Sequence, residues 1–94
     1  MGKDNYIEFS KFESLTDFRN SILWGKEIEF AYNNKEYGVF YDGEGIYSFN
    51  EANKPETEIE FCSIDELLDV DVQGVSLREI ITEVEVTWRN IWFV

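Results

Sequence analysis

Three runs between Lys26 and Asn50 alternate apolar and polar residues with a period of two, and each run stops at residues suited to tight turns. This constrains the chain more than any other feature. Period-two alternation belongs to strands with one wet face, and connections this short join only antiparallel neighbours. In Glu27-Ile28-Glu29-Phe30-Ala31-Tyr32 the apolar Ile28, Phe30 and Tyr32 share one side and Glu27, Glu29 and Ala31 the other. Asn33-Asn34-Lys35 is a turn, because Asn tolerates positive φ; Tyr37, Val39 and Tyr41 then alternate along a second strand whose opposite side is broken by Gly38. Asp42-Gly43-Glu44-Gly45 makes a second turn and Ile46 to Asn50 a third strand, so residues 26 to 50 are expected to form a meander. After a polar loop with the single proline, Pro55, a fourth strand sets Thr57, Ile59 and Phe61 against Glu58, Glu60 and Cys62.

Helices flank this sheet. Ser14 with Asp17 three residues later caps the stripe Leu15, Phe18 and Ile22, which predicts a helix from about 15 to 24 with Gly25 as its left-handed stop. Ser63 with Glu66 caps a short helix near 64 to 69, and Ser76 with Glu79 repeats the device. Beyond Ser76 two periods compete: Leu77, Ile80, Ile81, Val84 and Trp88 keep helical spacing, while Val84, Val86 and Trp88 against Glu83, Glu85 and Thr87 also fit a strand. The reading adopted is a helix beginning at 77, the alternative being that 83 to 88 joins the sheet. The expected fold is therefore α+β in one domain, 1–94: an N-terminal helix, a four-stranded mostly antiparallel sheet, then one short and one longer C-terminal helix. Ile28, Phe30, Tyr37 or Phe40, Ile59 and Phe61 should meet Leu15, Phe18, Ile22, Leu67, Ile80 and Ile81 in the core. At the chain end, Trp88 and Ile91 are expected to complete that core. Trp92 and Phe93 either cover one end of it or pack on a second copy of the chain or on a partner.

Chemistry is bounded by what the 94 residues contain. With no His and one cysteine, a tetrahedral zinc site or a His-dependent triad cannot be assembled from the usual groups. Cys62 has no adjacent cation to activate it and reads as structural. The run Asp69-Val70-Asp71-Val72-Gln73-Gly74 opens like a calcium loop, yet the position that should supply a bidentate Glu falls on Ile80. No phosphate-cradling glycine loop occurs, and Gly43-Glu44-Gly45 reads as a turn. No cofactor, no metal and no enzymatic activity are expected. The lone cysteine, and the absence of a signal-like or membrane-spanning apolar run, point to the cytoplasm.

Charge is the informative signal. The net charge is −12, which argues against direct contact with nucleic acid or an anionic membrane and for a protein partner with a basic surface. Residues 42 to 71 hold ten acids and one base, so this segment carries −9 of that total. Glu56, Glu58 and Glu60 recur every second residue on one strand, and Asp65 and Asp69 are spaced one helical turn apart. The candidate partner-binding residues are thus Asp42, Glu44, Glu56, Glu58, Glu60, Asp65, Glu66, Asp69 and Asp71, with Trp92 and Phe93 as apolar anchors. A solvated acidic face that discourages edge-to-edge aggregation is the other reading of the same carboxylates.

The helix leading into Gly25-Lys26-Glu27-Ile28-Glu29-Phe30-Ala31-Tyr32, followed by Asp65-Glu66-Leu67-Leu68 and Gly74-Val75-Ser76-Leu77-Arg78, resembles the small acidic proteins carried by mobile elements of Gram-positive bacteria. The resemblance spans roughly two thirds of the chain. Some proteins of this size and charge are anti-CRISPR or other anti-defence inhibitors that present carboxylates where a nuclease expects phosphates. The −9 segment together with the absence of catalytic groups gives the expected function, a stoichiometric inhibitor whose acidic face occupies a basic, nucleic-acid-binding surface such as that of a nuclease. The resemblance adds an analogy in size and charge and carries over no individual residue. A toxin-immunity or antitoxin-like protein neutralising one cognate protein is the alternative, with contacts centred on aromatic anchors.

Overall fold

The computed structural model describes residues 10–90. Helix α1 (Leu15–Gly25) begins where Ser14 Oγ accepts the Asp17 backbone N–H, while the Asp17 carboxylate accepts the N–H of Glu13. Phe12, just ahead of the cap, packs edge-on against Phe18 with ring centroids 5.3 Å apart, a staple that fixes how the chain enters the helix. The left-handed residue at the far end is Lys26 (φ 69°), not Gly25. Gly25 is helical and serves packing instead: a Cβ there would stand 3.0 Å from both Cβ and the carbonyl oxygen of Asn90.

Strands β1 (Glu27–Tyr32), β2 (Lys35–Tyr41) and β3 (Tyr47–Glu51) form the expected meander, followed by the edge strand β4 (Lys54–Phe61). Asn33 and Asn34 both take positive φ, the type I′ geometry that matches strand twist. Helix α2 (Ile64–Leu68) starts at the Ser63 cap, whose Oγ accepts from the Glu66 N–H while Glu66 reaches back to the N–H of Cys62. A two-stranded hairpin, β5 (Asp71–Val72) with β6 (Val75–Ser76), turns through Gln73 and Gly74, both at positive φ. Asp71 and Gly74 of the calcium-like run are therefore spent on a hairpin.

The C-terminal part corrects the sequence reading. The expected longer helix is one turn, α3 (Leu77–Ile80), and Glu85–Arg89 forms β7, which pairs antiparallel with β1. Among the described residues the main sheet thus has five strands, in the order β4-β3-β2-β1-β7, beside the small β5-β6 sheet. The physical reason lies at both ends of the segment. The Ser76 hydroxyl bonds the Glu79 carboxylate and caps no backbone N–H, so the helix start is weak. A longer helix would also leave this edge of β1 unpaired, which Val86 and Trp88, good strand formers, close by pairing with Phe30 and Glu29.

Helices α1, α2 and α3 lie on one side of the sheet, around a single cluster that includes Phe12, Phe18, Ile22, Ile28, Phe30, Tyr37, Val39, Phe49, Leu67, Leu77 and Val84. Tyr37 rather than Phe40 enters it, stacked between Phe30 and Phe49. Ile59, expected inside, stays 46% exposed on β4, the edge strand of the sheet. Trp88 is also outside the core, 50% exposed. Its register explains why: Glu29 pairs with Trp88 but Phe30 pairs with Val86, so Thr87 is an extra residue, a bulge. The bulge resets the alternation, turning Val86 and Arg89 inward and Trp88 outward.

Candidate partner-binding face

The side of the sheet opposite the helices is uncovered, and the register dictates what it presents. Residues paired directly across antiparallel strands share a face, so three rows can be read off. The first runs Glu85, Ala31, Glu36; the second Trp88, Glu29, Gly38, Asn50; the third Glu27, Phe40, Ser48, Glu60. Five carboxylates, Glu27, Glu29, Glu36, Glu60 and Glu85, therefore occupy this face. Glu58 is exposed just past the last regular β3–β4 pair, Phe49 with Ile59, where the register shifts. The strand bases among the described residues, Lys35, Lys54 and Arg89, stand at register positions of the other face, opposite Tyr32, Glu51 and Ile28.

At the centre Gly38 leaves an open groove of about 320 Å³, bordered by Glu27, Glu29, Glu36, Phe40 and Asn50. The Asn50 side chain lies across it: its Oδ1 would be 3.1 Å from a Cβ on residue 38, and its amide donates to the Glu51 carbonyl. Phe40 and Trp88 rise on either side of β1, both half exposed.

The carboxylates singled out by sequence divide into groups with different surroundings. Glu60 belongs to the uncovered face; Glu56 and Glu58 are exposed on the same edge strand, within the stretch where β3–β4 register shifts. Asp65 and Asp69 lie on the helical side, where Arg19 reaches Asp65 at 2.9 Å and Arg78 reaches Asp69 at 3.2 Å. Glu66 is engaged in its capping box. The Asp42 carboxylate closes its turn by accepting from the N–H groups of Glu44 and Ile46, and these bonds hold its pKa below the usual Asp value. Glu44 is exposed in that turn, and Asp71 is exposed on β5. The −9 segment is thus not one surface: its strand acids and its helix acids look out from opposite sides of the sheet. Ile91, expected in the core, and Trp92 and Phe93 lie outside the described residues.

Sequence reasoning missed Glu27, Glu29, Glu36, Glu85, Phe40 and Trp88 as members of one surface. Alternation assigned Glu27 and Glu29 to a wet side, but only the register with β2 and β7 brings the six together.

No family model matches the chain, and no significant match to it is found among curated proteins or solved structures. Among the described residues no helix is long and apolar enough to cross a membrane, and no group of His, Cys, Asp and Glu is arranged to hold a metal ion.

Proposed function

We propose that this protein is a non-enzymatic, stoichiometric inhibitor whose acidic sheet face occupies a basic, nucleic-acid-binding surface of a protein target. The observation that carries the reading is the sorting of charge between the two sides of the sheet. Arg19, Arg78 and Arg89 are paired with Asp65, Asp69 and Asp17 away from the uncovered face, and Lys35 and Lys54 with Glu51. The five glutamates placed on that face by register have no base among their register neighbours. Along one strand such carboxylates recur about every 6–7 Å, a step comparable with that between neighbouring phosphates of one nucleic-acid strand. The resemblance to anti-defence inhibitors makes a nuclease the expected target.

The test compares two charge-neutralised variants against a target captured from the host or its competitors. Changing Glu27, Glu29 and Glu60 to Gln should slow association and weaken its salt dependence, and the target should regain its nucleic acid. Changing Asp65 and Asp69 to Asn should leave binding near its original level. If the sheet-face variant binds and inhibits as well as the original, the mimicry reading is wrong.

The exposure of Phe40 and Trp88 on the same face favours one second reading, an immunity-type protein that neutralises a cognate toxin through aromatic anchors. Co-expression with a neighbouring toxin gene separates the two. Rescue that survives neutralisation of the glutamates but fails when Phe40 and Trp88 become Ala supports this second reading.

A further inference from the structure

Each exposed ring of the uncovered face stands directly across a strand pair from a carboxylate: Phe40 opposite Glu27, and Trp88 opposite Glu29. The unit occurs twice, on the two sides of β1, with the side-chain-free Gly38 beside both. One side-chain chemistry satisfies a ring and a carboxylate together. A guanidinium stacks its plane on the ring and donates N–H groups from its edge to the carboxylate, whereas an ammonium is a compact, strongly hydrated point charge that gains less from the ring. The protein already uses this solution internally: the Arg89 guanidinium sits 5.0 Å from the centroid of the Phe12 ring and 3.0 Å from the Asp17 carboxylate.

We propose that the uncovered face recognises arginine side chains of a protein partner, one seated on Phe40 with Glu27 and one on Trp88 with Glu29. This rests on the acidic-face reading above and narrows it, since that reading requires only positive charge. The occupant is set by charge complementarity. A second copy of this chain would bring glutamates against glutamates, and a nucleic acid would bring phosphates.

The wild-type protein is titrated with two peptides of equal length and charge, octa-arginine and octa-lysine, following backbone amide and indole resonances by NMR and affinity by calorimetry. The arginine peptide is expected to bind about five-fold or more tightly than the lysine peptide, with shifts centred on Gly38, Phe40 and Trp88. In the Phe40→Ala/Trp88→Ala variant this preference should vanish while the affinity for octa-lysine is retained. Both rings are half exposed, so the variant is expected to fold, and the wild-type comparison needs no variant. Equal affinities with shifts on the sheet face would overturn the arginine proposal and leave the acidic-face reading standing. Shifts centred on Asp65 and Asp69, or binding of neither peptide, would overturn both.

Discussion

The Arg89 guanidinium donates to the Asp17 carboxylate at 3.0 Å, joining the last strand to the first helix across 72 residues of sequence. The same guanidinium donates to Ser21 Oγ at 3.0 Å and to the Lys11 carbonyl at 3.1 Å, and its side chain is only 3% exposed. It reaches this position because the Thr87 bulge turns residue 89 inward. Removing one member of a fully buried pair leaves the other charge uncompensated at about 3–5 kcal/mol; here Arg89 is buried but the Asp17 side chain is 27% exposed, so the cost is lower. Arg89→Met and Asp17→Asn are each expected to lower the urea midpoint at unchanged slope, Asp17→Asn more strongly because it strands the buried guanidinium. A midpoint within experimental error of the original for both would show that the pair does not hold β7 to α1.

Gly25 offers a substitution whose sign is informative. In an ordinary helix Gly→Ala stabilises by about 1 kcal/mol. Here the added methyl meets the backbone of Asn90, which is held in place by its own side-chain amide donating to the Gly25 carbonyl at 2.7 Å. Gly25→Ala is therefore expected to destabilise, lowering Tm, and Gly25→Val to do so more strongly. A higher Tm for the alanine variant would mean that Asn90 yields easily.

Much of the architecture was legible because it is local. Alternation over residues 27 to 50 and the side-chain caps at Ser14 and Ser63 are properties of neighbouring residues, and each appears as read. The C-terminus was not legible because its outcome depends on a distant partner. Ser76 and Glu79 imitate the motif that caps α2, yet their side chains bond each other, and the free edge of β1 decides the conformation of Glu85 to Arg89. The same holds for the candidate face. The acids of residues 42 to 71 are dense in sequence, but a strand and a helix in succession point them to opposite sides. Glu27, Glu36 and Glu85, scattered in sequence, become neighbours only through register.

Asp42 gives a pH dependence with a defined sign. The N–H groups of Glu44 and Ile46, the larger causes, and the Lys26 charge lower its pKa from the usual 3.8. A carboxyl with a depressed folded pKa stabilises the fold fully above its unfolded value, and that stabilisation is lost as pH falls through the folded value. In Asp42→Asn the amide oxygen can accept the same two bonds without a charge that titrates. The original protein is therefore expected to be the more stable of the two near neutrality, with the difference shrinking from about pH 4 downward. A difference in unfolding free energy that stays constant from about pH 5 to 2 would contradict this account.

Ala31 sits in the first row of the uncovered face between Glu36 on β2 and Glu85 on β7, each its direct cross-strand partner. Lysine at this position would place an ammonium between two carboxylates that now face a methyl group. Opposite charges directly across an antiparallel pair contribute roughly 0.2–1 kcal/mol per pair, and exposed pairs are screened by salt. Ala31→Lys is accordingly expected to raise stability by about 0.5–1 kcal/mol at low ionic strength, with most of the gain gone at about 1 M salt. Ala31→Gln, which has a similar reach and no charge, should show no such salt dependence. Equal behaviour of the lysine and glutamine variants would mean that Glu36 and Glu85 do not bracket residue 31, and the register that assembles the acidic face would be wrong. If the register holds, Ala31→Lys also lowers the negative potential of that face without touching a glutamate. The variant that folds more stably should then bind a basic target more weakly, separating the stability of the sheet from the use made of its surface.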